Sequence, residues 1–459
     1  RIKDGYGLNQ HLIDRAHEDG IDTIITCDNG IAAAKEIEYG KALGMTIIVT
    51  DHHEVPYKEN EAGRRYILPP ADAVVDPRQE GCEYPFKGLC GAAVAYKLVE
   101  ALCEANGQDV ADLDYLLENV AIATVADVMD LTEENRILVK QGLEMLKRTS
   151  NLGLRALIQC IGLEGKKIQA YHIGFILAPC LNASGKLDTA KRALALLRAK
   201  TEREADMLAG DLKALNESRR DMTDRVVDEA MAKVEQTDIR GDKVLVIYLP
   251  DCHESLAGLV AGRVRENYYR PVFVLTDSED GVKGSGRSIE SYSMYEELTG
   301  CGDLLTKFGG HPMAAGLSLD KENVEKFKRR LNDQCTLSEE ELTEKVVIDM
   351  ELPFAAITEQ FIEELEYMEP FGKGNTKPVF AARGVVMQHV KIIGKNKNVA
   401  KATAIDAAGN RMEAICFHDA QEFAERCERN NGKMSITFYP GINEFRGERQ
   451  IQIVITHYR

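Results

Sequence analysis

Three side chains suited to metal binding or acid–base work stand together at Asp51-His52-His53. They close the apolar, β-branched run Met45-Thr46-Ile47-Ile48-Val49-Thr50. A second such run, Thr23-Ile24-Ile25-Thr26-Cys27, ends in the same manner at Asp28-Asn29-Gly30. Neutral imidazole is a common ligand for Mn, Zn and Fe, and carboxylate suits hard cations. Two strand ends carrying these groups therefore point to divalent-metal hydrolysis. In open α/β sheets, sites form outside the carboxyl ends of the strands. If 51–53 is extended, His52 and His53 face opposite sides. Only one of them is then expected to share a cation with Asp28, while the other faces substrate or orients a ligand. The plainer readings are a turn or cap aspartate at 28 and two packed or surface histidines.

Further candidates lie downstream. Asp127 follows the small, apolar stretch Ala121–Ala126, which suits a buried site edge or a helix terminus, with Asp130 competing for the role. Arg136 reads as a solvated helix residue. In Lys283-Gly284-Ser285-Gly286-Arg287-Ser288, read as a loop, small residues let the backbone approach a polyanion, and Arg287 can fork onto a phosphate. Gly309-Gly310-His311-Pro312-Met313-Ala314-Ala315-Gly316 has a similar character. His253 precedes a helix whose free N–H groups can meet an anion. Asn182-Ala183-Ser184-Gly185-Lys186-Leu187-Asp188 is a further small-residue loop with a cation.

These residues need elements to hold them. Strands are expected at 22–28, 45–50 and 72–76, and helices at 8–19, 31–43 and 88–105. Strands apolar on both faces suit a parallel sheet covered by helices, an α/β class. Residues 112–200 read as largely helical. Over 201–236 apolar residues recur at helical spacing without Pro, which predicts a connector about 54 Å long at 1.5 Å per residue. A second α/β unit starts at Lys243 and closes with a helix near 320–334; an acidic linker, 335–345, follows. Beyond 346, short β segments at 379–387, 390–394, 399–406, 412–417, 433–439 and 449–455 suggest a small barrel of OB type. Phe371, Phe380, Phe417, Phe438 and Phe445 could stack on bases, although aromatic residues in a barrel are more often core.

Composition sets the bounds. At 459 residues the chain should hold two to four domains. A net charge of −17 argues against coating nucleic acid over the whole surface but leaves room for a local basic channel. Eleven cysteines with no C-x-x-C pair are the pattern of reduced thiols in a cytoplasmic protein. No apolar run approaches a membrane span of about 20 residues.

In order along the chain stand Asp4-Gly5-Tyr6-Gly7-Leu8-Asn9, Thr26–Ile31, Val49–His53, Thr124–Val128, Leu177-Ala178-Pro179 and Leu181–Gly185. Gly284–Ser288, Lys307–His311 and Glu369-Pro370-Phe371-Gly372-Lys373-Gly374-Asn375 follow. In this ordered set the chain resembles the RecJ family of the DHH phosphoesterase superfamily. The resemblance implies a DHH domain (1–200), a connector helix (201–238), a DHH-associated domain (239–336) and an OB domain (346–459). It implies a 5′-to-3′ exonuclease specific for single-stranded DNA, working with two Mn²⁺ or Mg²⁺ ions in recombination and repair. Asp28 would bridge the two ions, His52 and Asp127 would complete one shell, and Asp51 and His53 would serve catalysis, His53 at the scissile phosphate. Arg287, Ser285, His311, Gly310, Asn182, Lys186 and His253 would hold substrate phosphates. Lys186 and Cys180 stand where the family often has Arg. Single-strand-binding protein and a RecQ-type helicase are implied partners; a monomer is expected. The family's first motif, D-x-D-x-D-G, is absent before Lys3, so the chain is expected to be incomplete at its N-terminus and impaired in turnover. Two rivals remain: a phosphodiesterase for short oligonucleotides or cyclic dinucleotides, and a DNA-binding scaffold without catalysis.

Overall fold

A computed structural model describes residues 7–60, 63–187, 190–279, 281–394, 397–417, 420–429, 431–445 and 447–459, the side chains at 60, 184–187 and 445 excepted. The chain divides into two compact units. One comprises Arg1–Leu181, Leu194–Ala209 and Val347–Arg459; the other comprises Asn182–Ala193 and Gly210–Val346.

The first unit begins with strands β1 (Thr23–Ile25) and β2 (Thr46–Thr50). A small antiparallel pair follows, β3 (Tyr57–Asn60) and β4 (Gly63–Tyr66), and then β5 (Ala73–Val75). β1, β2 and β5 form a parallel sheet in that order. Their β-branched residues favour the pleated backbone. The expected strand at 22–28 is shorter, because the chain leaves it after Ile25 and reaches Asp28 in the left-handed region, φ 63°. Ile13 and Ile37, on helices Gln10–Glu18 and Ala34–Ala42, pack with Met45, Ile47 and Val49 into the core beneath the sheet. Helices Gly91–Ala105 and Leu117–Ala126 bury Val94, Tyr96, Leu117 and Val120 in a neighbouring core. Residues 112–200 are largely helical, and the segment around Asn182 is itself helix (Ala178–Leu187) rather than the expected loop.

The helix expected over 201–236 runs unbroken from Glu202 to Gln236 and crosses the unit boundary. In the second unit its Ala230 and Val234 join a core with Ile247, Val260 and Val274. That unit holds β6 (Leu245–Tyr248), β7 (Val272–Ser278), β8 (Gly281–Arg287), β9 (Leu305–His311) and β10 (Ala314–Leu319), in the order β6-β7-β8-β10-β9. β6 and β7 are parallel; the remaining pairings are antiparallel. The two glycine-rich stretches read as loops are thus largely strands. A Cβ on Gly284 would stand 2.4 Å from Leu275 Cδ2, and one on Gly286 would stand 2.6 Å from Met294 Sδ and 2.7 Å from the Phe273 ring. These glycines make room for neighbouring side chains, the packing use of a strand glycine.

Returning to the first unit, β11 (Met350–Glu351), β12 (Phe380–Ile393), β13 (Val399–Ile405), β14 (Arg411–Cys416), β15 (Lys433–Phe445) and β16 (Glu448–Tyr458) form one sheet. The order is β11-β12-β13-β14-β16-β15, and a further β12–β15 pairing closes it into a barrel. The segments read as 379–387 and 390–394 are one strand, bent where the register shifts between Gln388 and Lys391 with His389 at φ 54°. Phe380 and Phe438 are buried in the barrel core, as the plainer reading holds. Phe371 is half-buried against Tyr439, and Phe417 is exposed.

Candidate metal centre

Each strand of the parallel sheet is followed closely by a carboxylate: Asp28 after β1, Asp51 after β2 and Asp76 after β5. His52 is the hub. Its Nε2 lies 3.0 Å from Asp28 Oδ1 and 3.4 Å from Asp127 Oδ2. The imidazole is buried, and neither ring nitrogen makes a hydrogen bond of good geometry. Asp28 and Asp127 thus flank one nitrogen of a buried imidazole, an arrangement that favours a positive charge there. A proton can serve, and the contact with Asp28, helped by Asp127, holds the His52 imidazolium pKa above its ordinary value in spite of burial. A divalent ion is the alternative, and among the described residues the donors close enough to share one are Asp28, His52 and His53, with Asp127 reaching only His52. Burial, partly offset by His52, pushes the Asp127 carboxyl up. Asp127 reaches the cluster as the C-cap of helix Leu117–Ala126.

His53 corrects the expectation that the two histidines part. The rings lie 4.5 Å apart, and Asp28, His52 and His53 each offer a ligand atom within 4.8 Å of the others. The cause is Asp51. Its Oδ1 accepts from the backbone N–H of His52 (2.8 Å) and of His53 (3.3 Å), turning the chain out of the strand immediately after Thr50. The same oxygen lies 2.7 Å from His53 Nδ1. Its Oδ2 accepts from Ile31 N–H at 3.0 Å. Burial pushes the Asp51 carboxyl up, but these donors outweigh it and hold its pKa below the usual range. As an acceptor-only carboxylate it orients the His53 ring through Nδ1.

Two further features went unread in the sequence. Asp76 is buried and keeps one oxygen without a partner; burial, with Asp51 nearby, pushes its carboxyl up to about 6. Gly91 opens helix Gly91–Ala105 against Asp28, and a Cβ there would stand 2.5 Å from Asp28 Cβ and 2.7 Å from its Cα. Only glycine admits this approach.

Asp130 does not join the cluster; it pairs with Lys373 at 3.0 Å. Arg136 is not merely solvated: its Nη2 donates to the carbonyls of Tyr367 (2.7 Å) and Glu369 (3.3 Å).

The remaining candidates belong to the second unit. Arg287 on β8 faces Ala314 on β10, which faces His311 on β9, so Arg287 and His311 share one face of the sheet. Arg287 Nη1 donates to the Gly286 carbonyl at 2.7 Å. No carboxylate pairs with Arg287 among the described residues. Burial and the neighbouring Arg265 lower its pKa. Ser285 lies on β8 opposite Gly316, and Gly310 and His311 are exposed. His253 caps helix Glu254–Tyr268, with its Nδ1 accepting from Ser255 N–H at 3.3 Å and 2.7 Å from Ser255 Oγ. Its own ring thus occupies the helix start that was read as an anion site. Asn182 is exposed on its helix, and the side chain of Lys186 lies outside the described residues.

Comparison with known proteins agrees with this architecture. Residues 3–124 match the DHH family N-terminal domain, 241–337 the DHHA1 domain and 348–457 the RecJ OB domain. The chain is 37% identical to the single-stranded-DNA-specific exonuclease RecJ of Bacillus subtilis over 460 residues, covering 99% of this chain and 56% of that protein. It is 34% identical to the exonuclease of the same name from Salmonella typhimurium, covering 99% of this chain and 80% of the relative. The crystal structure of RecJ in complex with Mn²⁺ from Thermus thermophilus superposes with a TM-score of 0.79 at 26% identity, covering 98% of this chain and 63% of that one. The chain thus spans little more than half of the Bacillus protein and most of the Salmonella one, and it belongs to the RecJ family of single-stranded-DNA-specific exonucleases.

Proposed function

We propose that this chain is part of a metal-dependent exonuclease that removes nucleotides from the 5′ end of single-stranded DNA during recombination and repair. The observation that carries the reading is the placement of Asp28 and Asp127 within 3.4 Å of His52 Nε2, in a chain that also carries a RecJ-type OB domain. Mn²⁺ or Mg²⁺, as a pair in the working enzyme, would supply an activated water and stabilisation of the leaving oxygen. Asp28, His52 and Asp127 would hold cation. Asp51 holds the His53 ring, which would meet the scissile phosphate. Arg287, with His311 on the same sheet face, would bind phosphates of the strand, and Ser285, Gly310, Asn182 and Lys186 would serve at its margins. His253 is better read as a helix cap.

The barrel would extend the path by phosphate contacts and base stacking. Phe417 is the exposed candidate among the phenylalanines singled out. The same reading assigns the protein to the cytoplasm as a monomer, working beside single-strand-binding protein and a RecQ-type helicase. Eleven free cysteines support that compartment, and no helix among the described residues is long and apolar enough to cross a membrane.

The test uses excess protein with 5′- and 3′-labelled strands, with and without Mn²⁺. Stepwise shortening from the 5′ end of single strands but not of blunt duplex is expected. Preference for dinucleotides over long strands would favour an oligonucleotide phosphodiesterase instead, and metal-independent cleavage would contradict the account.

A further inference from the structure

Beside the metal centre a strap, 367–375, is fastened onto the segment 130–136 that follows Asp127. Arg136 grips two of its carbonyls. Leu131 N–H donates to the Lys373 carbonyl at 2.7 Å. Two glycines bring the backbones close: a Cβ on Gly372 would meet Leu131 Cδ1 at 2.7 Å, and one on Gly374 (φ 74°) would meet Asp130 Cβ at 2.9 Å. Within the strap, Asn375 Nδ2 donates to the carbonyls of Met368 (2.8 Å) and Pro370 (2.9 Å). Backbone bonds and close contacts fix the strap, so docking does not need the Lys373 side chain. Its ion pair with Asp130 is more than half exposed on both sides. Such pairs contribute only about 0–1 kcal/mol. The strap therefore carries an ammonium to Asp130, three residues beyond Asp127, without needing that ion pair for its own docking.

Negative charge outweighs positive at this place, where Arg78 beside Asp76 is already paired with Glu54. Asp28, Asp51, Asp76 and Asp127 crowd this site in a chain of net charge −17, with Asp130 three residues beyond Asp127. A polyanion must approach those carboxylates to be cut. We propose that Lys373 is a DNA-phosphate contact at the rim of the metal centre, exchanging Asp130 for a phosphate oxygen when a strand binds. This deepens the single-strand reading above and rests on it. Asp130 acts as a competing counter-charge that keeps the ammonium aimed at the site.

The experiment measures binding of the 459-residue chain to a cleavage-resistant phosphorothioate single strand, by fluorescence anisotropy across a KCl series in Mn²⁺. Removing one phosphate contact should lower the log–log salt slope by about 0.7. K373A is expected to show that loss with several-fold weaker binding at low salt, and K373R to restore the slope. D130N is expected to tighten binding in the parent but not in a K373A background, a coupling that a double-mutant cycle reads. K373A with an unchanged slope overturns the proposal, as does a D130N effect that persists without Lys373. A lower melting temperature for K373A with the slope intact would assign the lysine to structure alone and also overturn it. If the parent chain binds no single strand, the single-strand reading falls and Lys373 with it; if the parent binds and only the Lys373 arms fail, the inference alone is lost.

Discussion

Replacing Gly91 by Ala adds one methyl group at the place where Asp28 has least room. The new Cβ would lie 2.5 Å from Asp28 Cβ, 2.6 Å from Oδ1 and 2.7 Å from the backbone Cα. Ordinary carbon contacts sit at about 3.5–4.0 Å, so Asp28 or the start of helix Gly91–Ala105 must move by roughly 1 Å. The backbone has little slack to give: Asp28 already holds φ 63°, and its N–H donates to the Thr50 carbonyl at 3.1 Å. Overpacking of this kind costs about 1–3 kcal/mol. Metal sites tolerate ligand displacements of only about 0.2 Å, so the functional loss should exceed the loss of stability. Mn²⁺ titration by calorimetry should show G91A binding at least tenfold weaker than the parent, while circular dichroism shows a folded chain. A G91A chain that binds Mn²⁺ as the parent does would refute the claim that Asp28 holds the ion and that Gly91 seats Asp28.

Asp76 gives a test in metal-free buffer. Its folded pKa of about 6 lies above the ordinary 3.8, so the unfolded chain releases the proton first, and the buried charge destabilises the fold as pH rises from about 4 to 6. The gap amounts to about 3 kcal/mol, so D76N should be more stable than the parent at pH 8 by up to that amount and equal to it near pH 4, as chemical denaturation will show. The His52 pKa is raised too, so its proton competes with metal at low pH, and Mn²⁺ affinity should climb as pH rises through and beyond 6.5. That rise should vanish in H52Q; an equally steep rise there would assign it to another group. In the second unit, G310A places a Cβ 2.4 Å from the Ala314 carbonyl oxygen at φ 147°, so thermal melting should report a loss of about 1–3 kcal/mol.

The sequence displayed the metal centre more clearly than its surroundings. Runs such as Thr46–Thr50 and Thr23–Ile25 leave little choice but buried strands, and the side chains after them must then gather at one sheet edge. The opposed histidines were misjudged because period-two alternation holds only while the strand continues. Asp51 ends it by taking the next two N–H groups onto its own side chain. Glycine is ambiguous for a related reason. At Gly284 and Gly286 the missing side chain admits Leu275, Phe273 and Met294, not a ligand, and composition alone cannot tell which neighbour fills the gap. Asp76 closes the expected strand 72–76 just before Pro77, and nothing local reveals that its carboxyl is buried. The strap at 367–375 depends on contacts more than 200 residues away, beyond the reach of any local pattern.

The most direct test of the central claim is anomalous diffraction from crystals of this chain soaked in Mn²⁺. The account predicts a peak within coordination distance of His52 Nε2 and of carboxylate oxygens from both Asp28 and Asp127. Well-ordered side chains at those three positions with no peak between them, at a concentration that saturates binding in solution, would contradict it.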